Sequence, residues 1–91
     1  MRILVADDHE TIRKGVRSIL SERTSIEVCE AATGKEAADK AGETPPDLLI
    51  LDVNMPVMGG FEAAREIRSF LPNVPILFFY HARGHSPRPR G

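Results

Sequence analysis

Four short apolar runs, separated by three segments with helical spacing, set the strongest limit on what this chain can fold into. The runs are ILVA at 3–6, IEVCEA at 26–31, DLLIL at 47–51 and PILFF at 75–79. The first and third are continuous and rich in branched aliphatics, the pattern of strands covered on both faces. IEVCEA is partly alternating and suits a sheet edge. Between the runs lie HETIRKGVRSILSER (9–23), TGKEAADKAG (33–42) and GGFEAAREIRSF (59–70). The first carries Ile12, Val16, Ile19 and Leu20 at spacings of three and four, as an amphipathic helix requires. The second opens with Thr33 and Glu36 at capping-box spacing and carries Gly42 as a stop. The third presents Phe61, Ala64, Ile67 and Phe70 or Leu71 on one face. Strict β-α-β-α-β-α-β alternation with short connections predicts an α/β fold, a parallel sheet with helices on both faces.

Ninety-one residues, 42% hydrophobic and 27% charged, suit one small globular domain. A net charge of −1 gives no overall electrostatic case for nucleic acid or a membrane surface. The balance is uneven, because residues 80–91 hold Arg83, Arg88 and Arg90 and no acid. Three arginines without a fold supply only weak, salt-sensitive nucleic-acid binding. The lone Cys29 excludes an internal disulfide and reads as a buried, inert thiol suited to a reducing compartment. The N-terminus is too acidic and too short in apolar run for a signal peptide, and no stretch is long enough to span a membrane, so the expected location is the cytoplasm. The segment YHARGHSPRPRG has nothing to bury and reads as a disordered tail.

Two of the strand candidates end in acid: LVADD, with Asp7 and Asp8, and LILD, with Asp52. Open parallel sheets bind ligands beyond the carboxyl ends of their strands. The interval of 44 positions from Asp8 to Asp52 accommodates helix, strand, helix and strand, so both acidic ends emerge on one rim. Two unit charges ~4 Å apart repel by roughly 4 kcal/mol at an effective dielectric of about 20. Three converging carboxylates therefore ask for a divalent cation or for raised pKa values. Hard oxygen ligands on an open rim suit Mg²⁺, and Mg²⁺ beside an exposed carboxylate suits phosphoryl transfer onto that carboxylate. The bland alternative is that Asp8 caps the following helix. DVNMP is not a calcium loop, because Met55 and Pro56 stand where oxygen ligands are needed. No phosphate-cradling glycine loop or partnered Ser or Cys nucleophile occurs. His9 reads as solvated at the helix start, His81 and His85 belong to the tail, and none has metal-ligand spacing.

ILVADDHETIRKGVRSIL, DLLILDVNMPVMGGFEAAREIR and VPILFF together resemble a response-regulator receiver domain of bacterial two-component signalling, most like those attached to LuxR/NarL-type outputs. The resemblance covers residues 2–79. It implies a flavodoxin-like (CheY-like) three-layer fold with parallel strand order 2-1-3-4, here without the family's fifth strand and last helices. It further implies that Asp52 accepts a phosphoryl group from a sensor histidine kinase, with Mg²⁺ as cofactor, in a signalling domain rather than an enzyme. By the same resemblance Asp8 and Asp52 bind Mg²⁺ through side chains, Asn54 through its backbone carbonyl and Asp7 through water, while Pro56 and Gly60 shape the loop. Another receiver domain is the second partner it suggests; contact with nucleic acid or membrane is not expected.

The family pattern is not followed after Phe79. Tyr80 stands where a small hydroxyl switch residue belongs, and no lysine follows Lys40, so the phosphate-binding lysine is absent. The expected division is a partial receiver over 1–79 and a tail over 80–91, whose composition resembles a GC-rich gene read out of frame. A product truncated or frameshifted after Phe79 would be impaired as a phosphoacceptor. The alternative is a non-switching remnant, either a protein–protein interaction module or a non-functional gene fragment.

Overall fold

The structure, a computed structural model, describes residues 1–55 and 57–80. Pro56, expected to shape the loop after Asp52, and residues 81–91, most of the expected tail, lie outside them. The element order is β1 (Arg2–Ala6), α1 (Glu10–Leu20), β2 (Glu27–Ala31), α2 (Gly34–Glu43), β3 (Leu48–Asp52), α3 (Gly60–Phe70) and β4 (Ile76–Phe79). All strands pair in parallel in the order β2-β1-β3-β4, the expected flavodoxin-like order. The chain moves one way from β1 to β2 and returns across β1 to reach β3. Right-handed crossovers therefore put α1 on one face and α2 and α3 on the other.

The apolar runs are buried in proportion to their place in the sheet. Ile3, Leu4, Val5 and Ala6 of the interior strand β1 are all buried, as are Leu49 and Leu51 of β3. The main core lies on the α2/α3 face, where Leu4, Leu49, Leu51 and Ile67 meet Ala37, Ala38, Ala41 and Ala64. The alanines matter because a methyl group keeps each helix backbone close to the sheet. Burying a side chain the size of Ile67 contributes about 1.5–3 kcal/mol.

The helices depart from the sequence reading in instructive ways. The buried stripe of α3 is Gly60, Ala63, Ala64 and Ile67, while Phe61 and Phe70 lie on its exposed side. Phe61 instead meets Phe78 of β4, ring centroids 4.9 Å apart. In α2 the Thr33 hydroxyl accepts from the Glu36 N–H (3.0 Å), but the Glu36 carboxylate reaches Ala32 N–H (2.8 Å) rather than Thr33. Gly42 does not stop the helix, which runs on to Glu43. Pro45 explains the later end, because it drives Thr44 to an extended φ of −142°. On α1 no residue is fully buried, and Ile19, expected in the core stripe, is 70% exposed. Cys29, expected to be buried, is half-buried, since an edge strand is covered from one side only.

Charge rather than apolar burial ties α1 to the edge of the sheet. Arg13 Nε donates to Glu30 Oε1 at 3.0 Å and Arg17 Nε to Glu30 Oε2 at 2.5 Å. Arg17 also donates to the Val28 carbonyl, and Arg13 to the Asp7 carbonyl at 2.6 Å. The two hydrogen bonds Glu30 accepts, led by the one from Arg17, hold its carboxyl below its ordinary range.

Candidate functional site: an acidic cluster at the ends of β1 and β3

Because β1 and β3 are adjacent and parallel, the residues that follow Ala6 and Leu51 leave the sheet on the same rim. Asp7, Asp8 and His9 come from the end of β1 and Asp52 from the end of β3. One ligand-capable atom from each of these four residues lies within 4.8 Å of the others. Asp7 and Asp52 are fully buried, and Asp8 and His9 are partly exposed.

Local backbone geometry fixes the carboxylates. Asp7 Oδ1 accepts the His9 N–H at 2.7 Å, an Asx-type turn that swings the chain out of β1 into α1. Asp7 N–H donates to the Ala31 carbonyl, extending the β1–β2 ladder by one residue. Asp52 Oδ1 accepts the Asn54 N–H at 3.1 Å, the same two-residue turn at the end of β3. The N-cap of α1 is His9, not Asp8, and no side chain caps it. The bland reading of Asp8 as a helix cap is therefore overturned, and its carboxylate is left facing the cluster.

Two expectations need correction. Asp52 is not an open-rim carboxylate: it is 0% exposed. It pairs in register with Phe79 of β4, and the Val53 N–H donates to the Phe79 carbonyl at 2.9 Å, so the sheet continues past the acid. His9 is not merely solvated. Its side chain is 43% exposed, but Nδ1 lies 3.1 Å from Asp8 Oδ1 and 3.2 Å from Asp7 Oδ1. The adjacency of His9 to the acidic pair was the only trace of this in the sequence.

The loop between β3 and α3 packs tightly against its neighbours. A Cβ on Gly60 would fall inside van der Waals contact of the Asp52 carbonyl, and one on Gly34 inside that of the Met58 carbonyl. The Glu62 carboxylate reaches back to the Gly59 N–H at 3.2 Å, securing the start of α3. Asn54 is exposed beside Asp52, and Tyr80 stands exposed just beyond β4. The chain's three lysines all pair elsewhere: Lys14 with Glu10, Lys35 with Asp39 and Lys40 with Glu36.

The donor set, carboxylates with one imidazole and no thiolate, fits a hard or borderline divalent cation. Such an ion would offset the mutual repulsion of carboxylates packed this closely. Among the described residues no helix is long and apolar enough to cross a membrane.

Known proteins share this fold. The response regulator receiver domain family matches residues 3–87. The response regulator protein VraR of Staphylococcus aureus is 45% identical over 78 residues, 85% of this chain and 37% of VraR. The chain thus spans little more than a third of the curated relatives it matches. Among solved structures, the Vibrio cholerae chemotaxis protein CheY4 superposes with a TM-score of 0.78 at 42% identity, covering 85% of this chain and 65% of CheY4. A LuxR-family two-component response regulator from Aurantimonas sp. SI85-9A1 gives 0.82 at 38% identity, covering 91% of this chain and 60% of that one. With the fold, the acidic rim and the matched sequence in agreement, this chain belongs to the response regulator receiver domain family.

Proposed function

We propose that this chain is a phosphoacceptor of two-component signalling in which Asp52 receives a phosphoryl group from a sensor histidine kinase. The observation that carries this reading is the convergence of Asp7, Asp8 and Asp52 from the ends of two adjacent strands. A carboxylate oxygen of Asp52 attacks phosphorus, and the bond from phosphorus to the donor nitrogen or oxygen breaks, its electron pair leaving with the donor. Bound Mg²⁺ would neutralise the incoming phosphoryl oxygens. Asp8 and Asp52 would hold the ion by their side chains and Asn54 by its backbone carbonyl, with Asp7 acting through water. Close packing of Gly60 on the Asp52 backbone supports its role, expected alongside Pro56, in shaping the acceptor loop. Because Asp52 is buried, a donor reaches it only after neighbouring groups move aside, so transfer should be slow.

A second reading, a non-switching interaction module, draws on the other half of the site. Tyr80 projects outward where the family carries a small hydroxyl, and every lysine is engaged away from the cluster. Transfer chemistry needs the acidic half only, whereas a switch needs groups that bind the transferred oxygens and so separate two conformations in free energy. The test is acid-labile phosphate on the wild type and Asp52→Asn after exposure to a small phosphodonor with and without Mg²⁺. The proposal expects slow, Mg²⁺-dependent label in the wild type alone, without phosphorylation-dependent dimerisation. Label that survives in Asp52→Asn removes the acceptor assignment, and no label in a folded wild type favours the interaction module.

A further inference from the structure

The acidic site contains an imidazole nitrogen that the proposed Mg²⁺ chemistry does not use. His9 Nδ1 lies 3.1 Å from Asp8 Oδ1 and 3.2 Å from Asp7 Oδ1, and it belongs to the group of four residues whose ligand atoms lie within 4.8 Å of one another. Around a cation with bonds of about 2.1 Å, adjacent ligand atoms of an octahedron stand about 3.0 Å apart and opposite ones about 4.2 Å apart. At these distances the ring nitrogen is in hydrogen-bond contact with both carboxylates, which is also the spacing of neighbouring ligands. The backbone holds them there: His9 N–H is bonded to Asp7 Oδ1, and the ring sits at the N-cap of α1, where it makes no capping bond. The His9 side chain is 43% exposed, which gives an ion a way in.

An imidazole changes which ion such a site prefers. Mg²⁺ gains little from nitrogen, whereas Mn²⁺, Co²⁺, Ni²⁺ and Zn²⁺ accept imidazole readily, with affinity for mixed nitrogen–oxygen sites rising from Mn²⁺ through Co²⁺ to Ni²⁺. We propose that His9 is a ligand of the acidic site, making it a mixed nitrogen–oxygen centre that favours a borderline transition ion over Mg²⁺. The inference rests on the reading of Asp8 and Asp52 as cation ligands, and it adds ion selectivity to that reading. The same phosphoryl transfer onto Asp52 would then run with Mn²⁺ at concentrations where Mg²⁺ leaves the site empty.

The experiment uses the full chain carrying His81→Gln and His85→Gln, so that no other histidine can answer. Mg²⁺ and Ni²⁺ affinities are measured by titration calorimetry on this background, with His9→Gln added and, separately, with Asp8→Ala added. Bound Mn²⁺ is examined by electron spin echo spectroscopy for coupling to a directly ligated nitrogen. The expected result is nitrogen coupling that disappears in His9→Gln, with a loss of ~10–100-fold in Ni²⁺ affinity and a change in Mg²⁺ affinity of less than about twofold. Asp8→Ala is expected to lose both ions. No nitrogen coupling with His9 present, or coupling and Ni²⁺ affinity that persist in His9→Gln, would overturn the role of His9 while leaving the acidic site intact. Affinities unaffected by Asp8→Ala would overturn the acidic site itself. If His9→Gln does not fold, the echo from the background protein alone decides the point.

Discussion

Val57 has a φ of 70° and is 89% exposed, so a β-branched side chain occupies left-handed backbone on the loop surface. Such conformations cost on the order of 1–3 kcal/mol and concentrate at functional loops, and this one lies between Asp52 and α3. Asn tolerates the left-handed region and does not enlarge the unfolded ensemble as Gly would. Val57→Asn should therefore stabilise the fold by about 1 kcal/mol, read as a higher denaturant midpoint at unchanged slope. A neutral or lower midpoint would show that the loop relaxes without cost. Asp8 gives the opposite kind of test, because it adds a third carboxylate to two that are buried. Asp8→Ala should raise metal-free stability, and the stabilisation by Mg²⁺ expected of the wild type should be abolished. A thermal melt with and without the ion measures both effects. Equal Mg²⁺ shifts in the two proteins would take Asp8 out of the site.

At the scale of elements, the most informative contact is the clamp of Arg13 and Arg17 on Glu30, which fastens the weakly buried α1 to β2. The Glu30 carboxyl is held below its ordinary value of 4.5, first by the hydrogen bond from Arg17. A carboxyl whose folded pKa is depressed stabilises the fold above its unfolded pKa and loses that contribution as pH falls through the folded one. Stability of the wild type should thus decline below about pH 4.5, and Glu30→Gln should flatten part of that decline while lowering stability at neutral pH. An unchanged acid limb in Glu30→Gln would assign the decline elsewhere, with Glu36, also depressed through its bond from Ala32 N–H, as the next group to test. Strand positions were legible in the sequence because continuous branched runs such as ILVA and DLLIL have few other uses. Helix faces were less so. Ile19 and Phe61 satisfy helical spacing, yet α1 receives little cover and α3 packs through alanines, and spacing alone does not say how close the sheet comes. The acidic cluster was legible because topology sends both strand ends to one rim. The burial of Asp52 depends on β4 running past it, and the place of the His9 ring depends on a two-residue turn. Neither leaves a pattern in composition.

At the scale of the whole molecule, the sheet face served by α1 is thinly covered among the described residues. Leu77 of β4 is 56% exposed, and Ile19 projects into solvent beside half-buried Ile12, Val16 and Leu20. Net stability of small domains is a few kcal/mol between large opposing sums, so a chain with one well-packed face should be marginal. It is expected to bind a hydrophobic dye and to unfold over a broad range. The double variant Ile19→Lys/Leu77→Lys should bind less dye while keeping the acidic rim. A sharp, cooperative melt of a monodisperse monomer would contradict this picture. The central claim is that Asp52 takes the phosphoryl group, and borohydride tests it most directly, because it reduces an aspartyl phosphate to homoserine at the residue that carried it. After treatment with a small phosphodonor and Mg²⁺, followed by borohydride, peptide mapping should find homoserine at position 52 and nowhere else. Homoserine at position 7 or 8, or none in a folded and phosphodonor-treated sample, would contradict the assignment.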